Sequence, residues 1–191
     1  VAVKESTGNP HYMPTRQRCL PIEKGDLVLL DLWGKLDKPD SVFADITWMA
    51  YAGANVPAEY ARVFKLVRAA RDAAIGLVQE STLNRKDLRG WQVDRAARDV
   101  ISSKQMGQYF MHRTGHSLGA SVHGNGVHMD NYETHDDRRL LPGAGFTIEP
   151  GIYQKTFGIR SEINMYVGEN SAWVTGPLQN KIVSLSANGS E

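Results

Sequence analysis

The stretch GFTIEPGIYQKTFGIRSEINMYVG, residues 145–168, decides how the rest of the chain is read. It holds two apolar runs of strand length, and each carries an acid: Glu149 in the first, Glu162 in the second. Asp and Glu are depleted in strands and seldom fully buried without a partner. Strand alternation puts Ile159, Ile163 and Val167 on one side and Arg160, Glu162 and Asn164 on the other. Likewise Phe146 and Ile148 oppose Thr147 and Glu149. Each acid therefore has a hydrophobic side behind it and is free to project into a shared polar cavity. The pattern occurs twice more upstream, where Asp31 ends LVLL and Asp45 sits inside VFADITW.

A second informative stretch is HRTGHSLGASVHGNG, residues 112–126. His112 and His116 have the spacing of a helical pair, yet Thr114, Gly115, Ser117 and Gly119 are poor helix formers, and Gly alone costs about 1 kcal/mol in a helix interior. A helical metal pair is therefore not the reading. Four carboxylates in one cavity repel one another, and Arg160 supplies a single compensating charge. One or two divalent cations answer that problem better. Carboxylates with an imidazole form a hard, mixed O/N donor set suited to Mn, Fe(II), Co or Zn. Two such ions bridged by carboxylates make a water-derived nucleophile at neutral pH.

Composition narrows the class. With 191 residues, 41% hydrophobic and 23% charged, and a formal net charge of +1, the chain has the make-up of one globular domain. Such a balance argues against a nucleic-acid partner. Apolar runs are too short to span a membrane. The lone Cys19 cannot form an internal disulfide, which fits a reducing, cytoplasmic setting. Residues 1–24 are irregular; KGDLVLLDLWG and SVFADITWMAYAG read as two strands joined by a long hairpin loop. Helices are expected at about 57–79, opened by Pro57 and with Tyr60, Phe64, Val67 and Ala74 on an apolar side, and at about 91–106, ended near Gly107. Beyond Tyr109, β signals recur in SLGASVHG, AGFTIEPGIYQ, GIRSEINMYVG and NKIVSLS. The class is α+β.

In this order and context, Asp31, Asp45, Gly115-His116, His123, Glu149 and Glu162 resemble the pita-bread metallopeptidases, the family of prolidase, aminopeptidase P and methionine aminopeptidase. TGHSLG, TIEPGIY and GIRSE carry the likeness most strongly, and it runs from about Asn9 to Val167. The resemblance implies that Asp31 chelates one metal, that Asp45 and Glu162 bridge two, and that His116 and Glu149 complete the other. It implies a peptide substrate whose scissile carbonyl is attacked by a metal-bridging hydroxide, with Glu149 shuttling the proton and His123 contacting substrate. His11, in NPHYMP, resembles an upstream active-site histidine, and Arg160 the arginine two before the last ligand. The features at His11 and Arg160 are closest to the proline-cleaving branch: an Xaa-Pro aminopeptidase or dipeptidase using two divalent ions, with Mn first and Co, Zn or Fe as alternatives. His112 is expected to support or pack, and His128 and His135 to lie in loops.

Three departures from the family pattern set further expectations. The Asp31–Asp45 hairpin loop is longer than usual, and Trp48 stands where the family commonly has an arginine. One helix pair is readable where the family has two, so residues 1–191 are expected to be a catalytic domain lacking its N-terminal portion. The apolar sheet face left uncovered would favour a homodimer. Two other functions share these residues: a catalytically inactive binding module, and a non-peptidase hydrolase on the same scaffold.

Overall fold

The computed structural model describes residues 1–185. β2 (Leu27–Gly34) and β3 (Ala44–Tyr51) form an antiparallel hairpin in unbroken register from Leu27↔Tyr51 to Gly34↔Ala44. The long loop lies at the hairpin tip and leaves that register intact. β1 (Ala2–Val3) adds antiparallel to β2, and β9 (Val183–Ser184) adds parallel to β3. Leu27, Leu29 and Met49 point into the main core, whereas Val28 and Ala50 join Val3 in a small cluster on the opposite face. By alternation Asp31 continues the core-facing row of β2, and Asp45 that of β3.

The decisive stretch folds as one hairpin with an interruption. β4 (Gly145–Ile148) pairs with β7 (Ile163–Val167), and β5 (Gly151–Tyr153) pairs with β6 (Gly158–Arg160). The register continues through the gap, from Ile148↔Ile163 to Gly151↔Arg160, so Glu149 stands across from Glu162. Pro150 has no N–H to give, and the single bond across the gap is Ser161 N–H to Pro150 O at 3.3 Å. The glutamate pair falls at a position where the two strands do not bond each other, which brings side chains close and leaves the backbone N–H groups pointing outward. Those groups recruit the flanking segments: Glu162 N–H donates to Thr47 O of β3 (3.2 Å), and Glu149 N–H donates to Thr114 O (2.7 Å). Thr147 N–H to His116 O and Leu118 N–H to Gly145 O (both 2.8 Å) extend that outer edge. A row of neighbouring extended segments results, in the order β2, β3, the β6–β7 arm, the β4–β5 arm and residues 114–118.

α1 (Ala58–Leu83) and α2 (Gly90–Ser102) pack on each other, and α1 lies across β4, β5, β6 and β8 (Ala172–Val174). Val67, Ala70, Ala74 and Val78 of α1 are fully buried, as are Phe146, Ile148, Ile152 and Ile159 behind the glutamates. The hydrophobic side expected behind each acid is the helix-covered face for Glu149 and Glu162, whereas Leu32 and Ile46, beside Asp31 and Asp45, are exposed. Buried Arg71 interrupts the apolar stripe of α1 and donates to Ser161 Oγ and Gln179 O at 2.8 Å each, fixing the residue next to Glu162.

Some element boundaries differ from expectation. Pro57 caps α1 with extended backbone instead of entering its first turn, and Tyr60 is only partly buried. α2 ends at Ser102, because Gln105 takes a positive φ of 58° and Gly107 opens a separate short turn. Of SLGASVHG, the first residues follow β4, whereas 119–124 turn back, with Gly124 N–H bonded to Ser117 O at 2.7 Å. In NKIVSLS only Val183–Ser184 is strand, and Ser186 lies outside the described residues.

Candidate metal centre and its cavity

Each of the five adjacent segments contributes one acid or imidazole to a single cavity of about 500 Å³: Asp31, Asp45, Glu162, Glu149 and His116 in order across the sheet. Asp45, His116 and Glu162 each offer a donor atom, all within 4.8 Å of one another, and all three residues are buried. Glu149 Oε1 lies 3.4 Å from His116 Nε2, and Asp45 Oδ2 lies 3.5 Å from it. Asp31 lines the cavity too, its carboxylate receiving Arg160 Nη2. His11 and His123 line the same cavity, and the His123 ring packs edge-on against His116 at 4.3 Å between centroids.

Local chemistry explains why these side chains hold their places. Thr47 Oγ1 donates to Glu162 Oε2 (2.7 Å) and accepts from Arg160 Nε (2.9 Å). Thr147 Oγ1 accepts the His116 N–H (2.9 Å) and donates to Glu149 Oε1 (3.1 Å). Gly115 is required beside His116, since a Cβ there would sit 1.9 Å from Thr147 O. Gly115 therefore serves the close approach of two backbones, whereas a Cβ at Gly119 would meet only Gly124 Cα at 4.0 Å.

The charges do not balance. Burial raises the Glu162 carboxyl well above the ordinary range, and the neighbouring Glu149 and Asp45 carboxylates push it further. Burial also raises Glu149, against the opposing pull of Arg160 and His116. Burial disfavours a charged His116, but its Asp45 hydrogen bond and the Glu149 charge outweigh that and raise it. Among the described residues, Asp45 Oδ1 is buried with no hydrogen-bond partner. An orphaned carboxylate oxygen among crowded acids fits a divalent cation, which would satisfy the oxygen and let the acids ionise together.

Sequence reading missed a relay on the cavity wall. His112 Nδ1 donates to Arg113 O (2.7 Å), so its Nε2 accepts from Tyr153 Oη (2.8 Å), and Tyr153 in turn accepts from Arg160 Nη1 (3.3 Å). Burial lowers His112 to about 3 and, at the other end, pushes Tyr153 up to about 12. His112 is thus a neutral supporting residue. The only hint in the sequence was the tyrosine that closes TIEPGIY. Trp33, Arg113 and Glu133 also line the cavity without having been singled out. His128 and His135 do not line it: His128 Nδ1 accepts the Ser117 N–H, and exposed His135 stacks on Trp91.

Acids and imidazoles gathered on one strand row, backed by a helix pair, fit a metal centre. The model of metallopeptidase family M24 matches residues 1–169, and the chain belongs to that family. It is 32% identical to an Xaa-Pro dipeptidase of Pyrococcus furiosus over 165 residues, covering 85% of this chain and 42% of that protein. An Xaa-Pro dipeptidase of Lactobacillus helveticus is 31% identical over 163 residues, or 85% of this chain and 40% of that one. Among solved structures, the dipeptidase PepE from Mycobacterium ulcerans superposes with a TM-score of 0.81 at 27% identity, over 97% of this chain and 46% of that chain. A prolidase from Thermococcus sibiricus gives 0.79 at 28%, over 96% and 46%. The fold is therefore the pita-bread fold in part, and the chain spans about half the length of the relatives it matches. No helix among the described residues is long and apolar enough to cross a membrane.

Proposed function

We propose that this chain carries the centre of a dimetal-dependent peptidase that cleaves peptide bonds at proline-containing N-termini, of the Xaa-Pro aminopeptidase or dipeptidase type. The observation that carries the reading is the buried Asp45 oxygen without a partner, set among Glu162, Glu149 and His116. Asp31, Asp45, His116, Glu149 and Glu162 are the residues that would hold the ions, with Asp45, His116 and Glu162 at the middle of the group. When bound, the ions supply a water-derived nucleophile at neutral pH and polarise the substrate carbonyl. Manganese suits a site of four carboxylates and one imidazole, with Co, Zn and Fe next.

The chain's own residues do the remaining work. Glu149, whose carboxyl is raised by burial, would take the proton given up by the attacking water and return it to the peptide nitrogen as the C–N bond breaks. Burial, and then the neighbouring His116, lowers His123, so it meets the peptide as a neutral imidazole. His11 lines the same cavity. Arg160 holds Asp31 on one side and Tyr153 on the other, setting the orientation of the first acid. The exposed, free Cys19 is in keeping with a reducing, cytoplasmic setting. A second copy of the chain covers the outer face of β2–β3, where Leu32 and Ile46 face each other across the register, 56% and 39% exposed.

The test is turnover of short Xaa-Pro peptides after Mn(II) loading, in the chain as given and in Glu149→Ala. Turnover in the first and a loss of at least about 10²-fold in the second is expected. Metal uptake without turnover would favour the inactive binding module, and turnover of esters or other amides alone would favour the non-peptidase hydrolase.

A further inference from the structure

Residues 110–118 carry two site histidines yet have a regular strand on one side only. On the other side the Met129 backbone bonds Gly115 (N–H to O at 3.2 and 3.0 Å), and over residues 110–114 side chains of α2 take the part that a neighbouring backbone would play. Arg98 Nη1 donates to Phe110 O (2.9 Å), and Arg98 Nη2 donates to His112 O (2.8 Å). Asp94 Oδ1 accepts the Thr114 N–H (2.8 Å). These bonds fall on alternate residues, as the rungs of a ladder do. The pair itself is bidentate, Nε to Oδ2 and Nη2 to Oδ1 at 2.9 Å each, with Asp94 fully buried. The guanidinium is also clamped between the rings of Phe110 (4.1 Å) and Tyr132 (4.7 Å).

We infer that Asp94 and Arg98 are positioning residues for His116: α2 holds the main chain of residues 110–114 so that the imidazole reaches Asp45 and Glu162. Thr114 is the handover point, its N–H gripped by Asp94 and its C=O by the Glu149 N–H. A slip of the segment there would move His116 and the Glu149 backbone together. Arg98 spends its planar fork on three different acceptor groups at once, which a lysine ammonium cannot do from one point. The inference rests on the metal reading above for its consequence, though the grip itself does not.

The experiment compares the wild type with Arg98→Lys, with Tyr132→Leu, and with Ile101→Val. Tyr132 is exposed and its loss removes one stacking face without touching the ion pair, so that variant folds even where Arg98→Lys does not. Ile101 is a fully buried residue of the same helix, so its shortening lowers stability without touching the grip. Two readouts are taken: Co(II) affinity with its visible spectrum, and amide hydrogen exchange at Thr114. The expected result is a Co(II) dissociation constant raised about tenfold, with a shifted band envelope, in Arg98→Lys, and a smaller change in the same direction in Tyr132→Leu. Thr114 exchange should quicken selectively in both, while Ile101→Val keeps wild-type Co(II) affinity and spectrum. If affinity instead tracks stability alike in Arg98→Lys and Ile101→Val, or Thr114 protection is unchanged, the inference is overturned. Should the wild type take up no Co(II), the metal reading fails by itself, and Thr114 exchange alone decides whether α2 grips the segment.

Discussion

Two residues of the centre answer to measurements that need no substrate. Gly115 faces Thr147 O at a distance no side chain tolerates, so Gly115→Ala must push the histidine segment off β4. Overpacking of this kind costs about 1–3 kcal/mol, and chemical denaturation should show a loss of that size with metal uptake impaired. An unchanged midpoint would mean that the segment is not held as described. His112 makes the second case, since burial lowers its folded-state value to about 3 against an ordinary 6.5. With a depressed histidine the unfolded chain takes up the proton first, so stability is intact above about pH 6.5 and falls as the pH drops towards 3. At about 1.4 kcal/mol per unit, urea titrations at pH 6.5 and 4.5 should differ by about 2–3 kcal/mol from this group. His112→Gln should remove that part of the pH dependence; if it leaves the dependence as it was, the buried neutral histidine is not its source.

At the scale of elements, the hairpin and the helices were legible in different degrees. Glu149 and Glu162 announced themselves as acids with apolar neighbours, and alternation put them on the correct face. Their position opposite each other was not legible, because it depends on a register carried through the Pro150–Ser161 gap. The histidine segment gave a β signal too far downstream, since its first backbone groups, the Phe110 and His112 carbonyls and the Thr114 N–H, bond side chains of α2 and leave no alternation to read. Asp94 and Arg98 have the i, i+4 spacing of an ordinary solvated pair, and nothing local marks Asp94 as buried. Arg71 is the parallel case in α1, a charge inside an apolar stripe. Arg71→Met should cost about 3 kcal/mol or more by stranding the Gln179 carbonyl and freeing Ser161 beside Glu162. Thermal unfolding measures it, and a cost under about 0.5 kcal/mol would show that the helix-to-sheet bonds contribute little.

For the whole molecule, the helices back only the half of the sheet that bears the glutamates and leave the outer face of β2–β3 bare at its tip. Sedimentation should therefore find a dimer that Leu32→Asp converts to monomer, and a stable monomer of the unaltered chain would remove the second copy from the account. The most direct test of the central claim is metal stoichiometry. After loading with Mn(II) and desalting, plasma mass spectrometry should find close to two ions per chain, as two-metal chemistry at these acids requires. Close to zero would contradict the account, leaving the five converging side chains as a scaffold without its reactive centre.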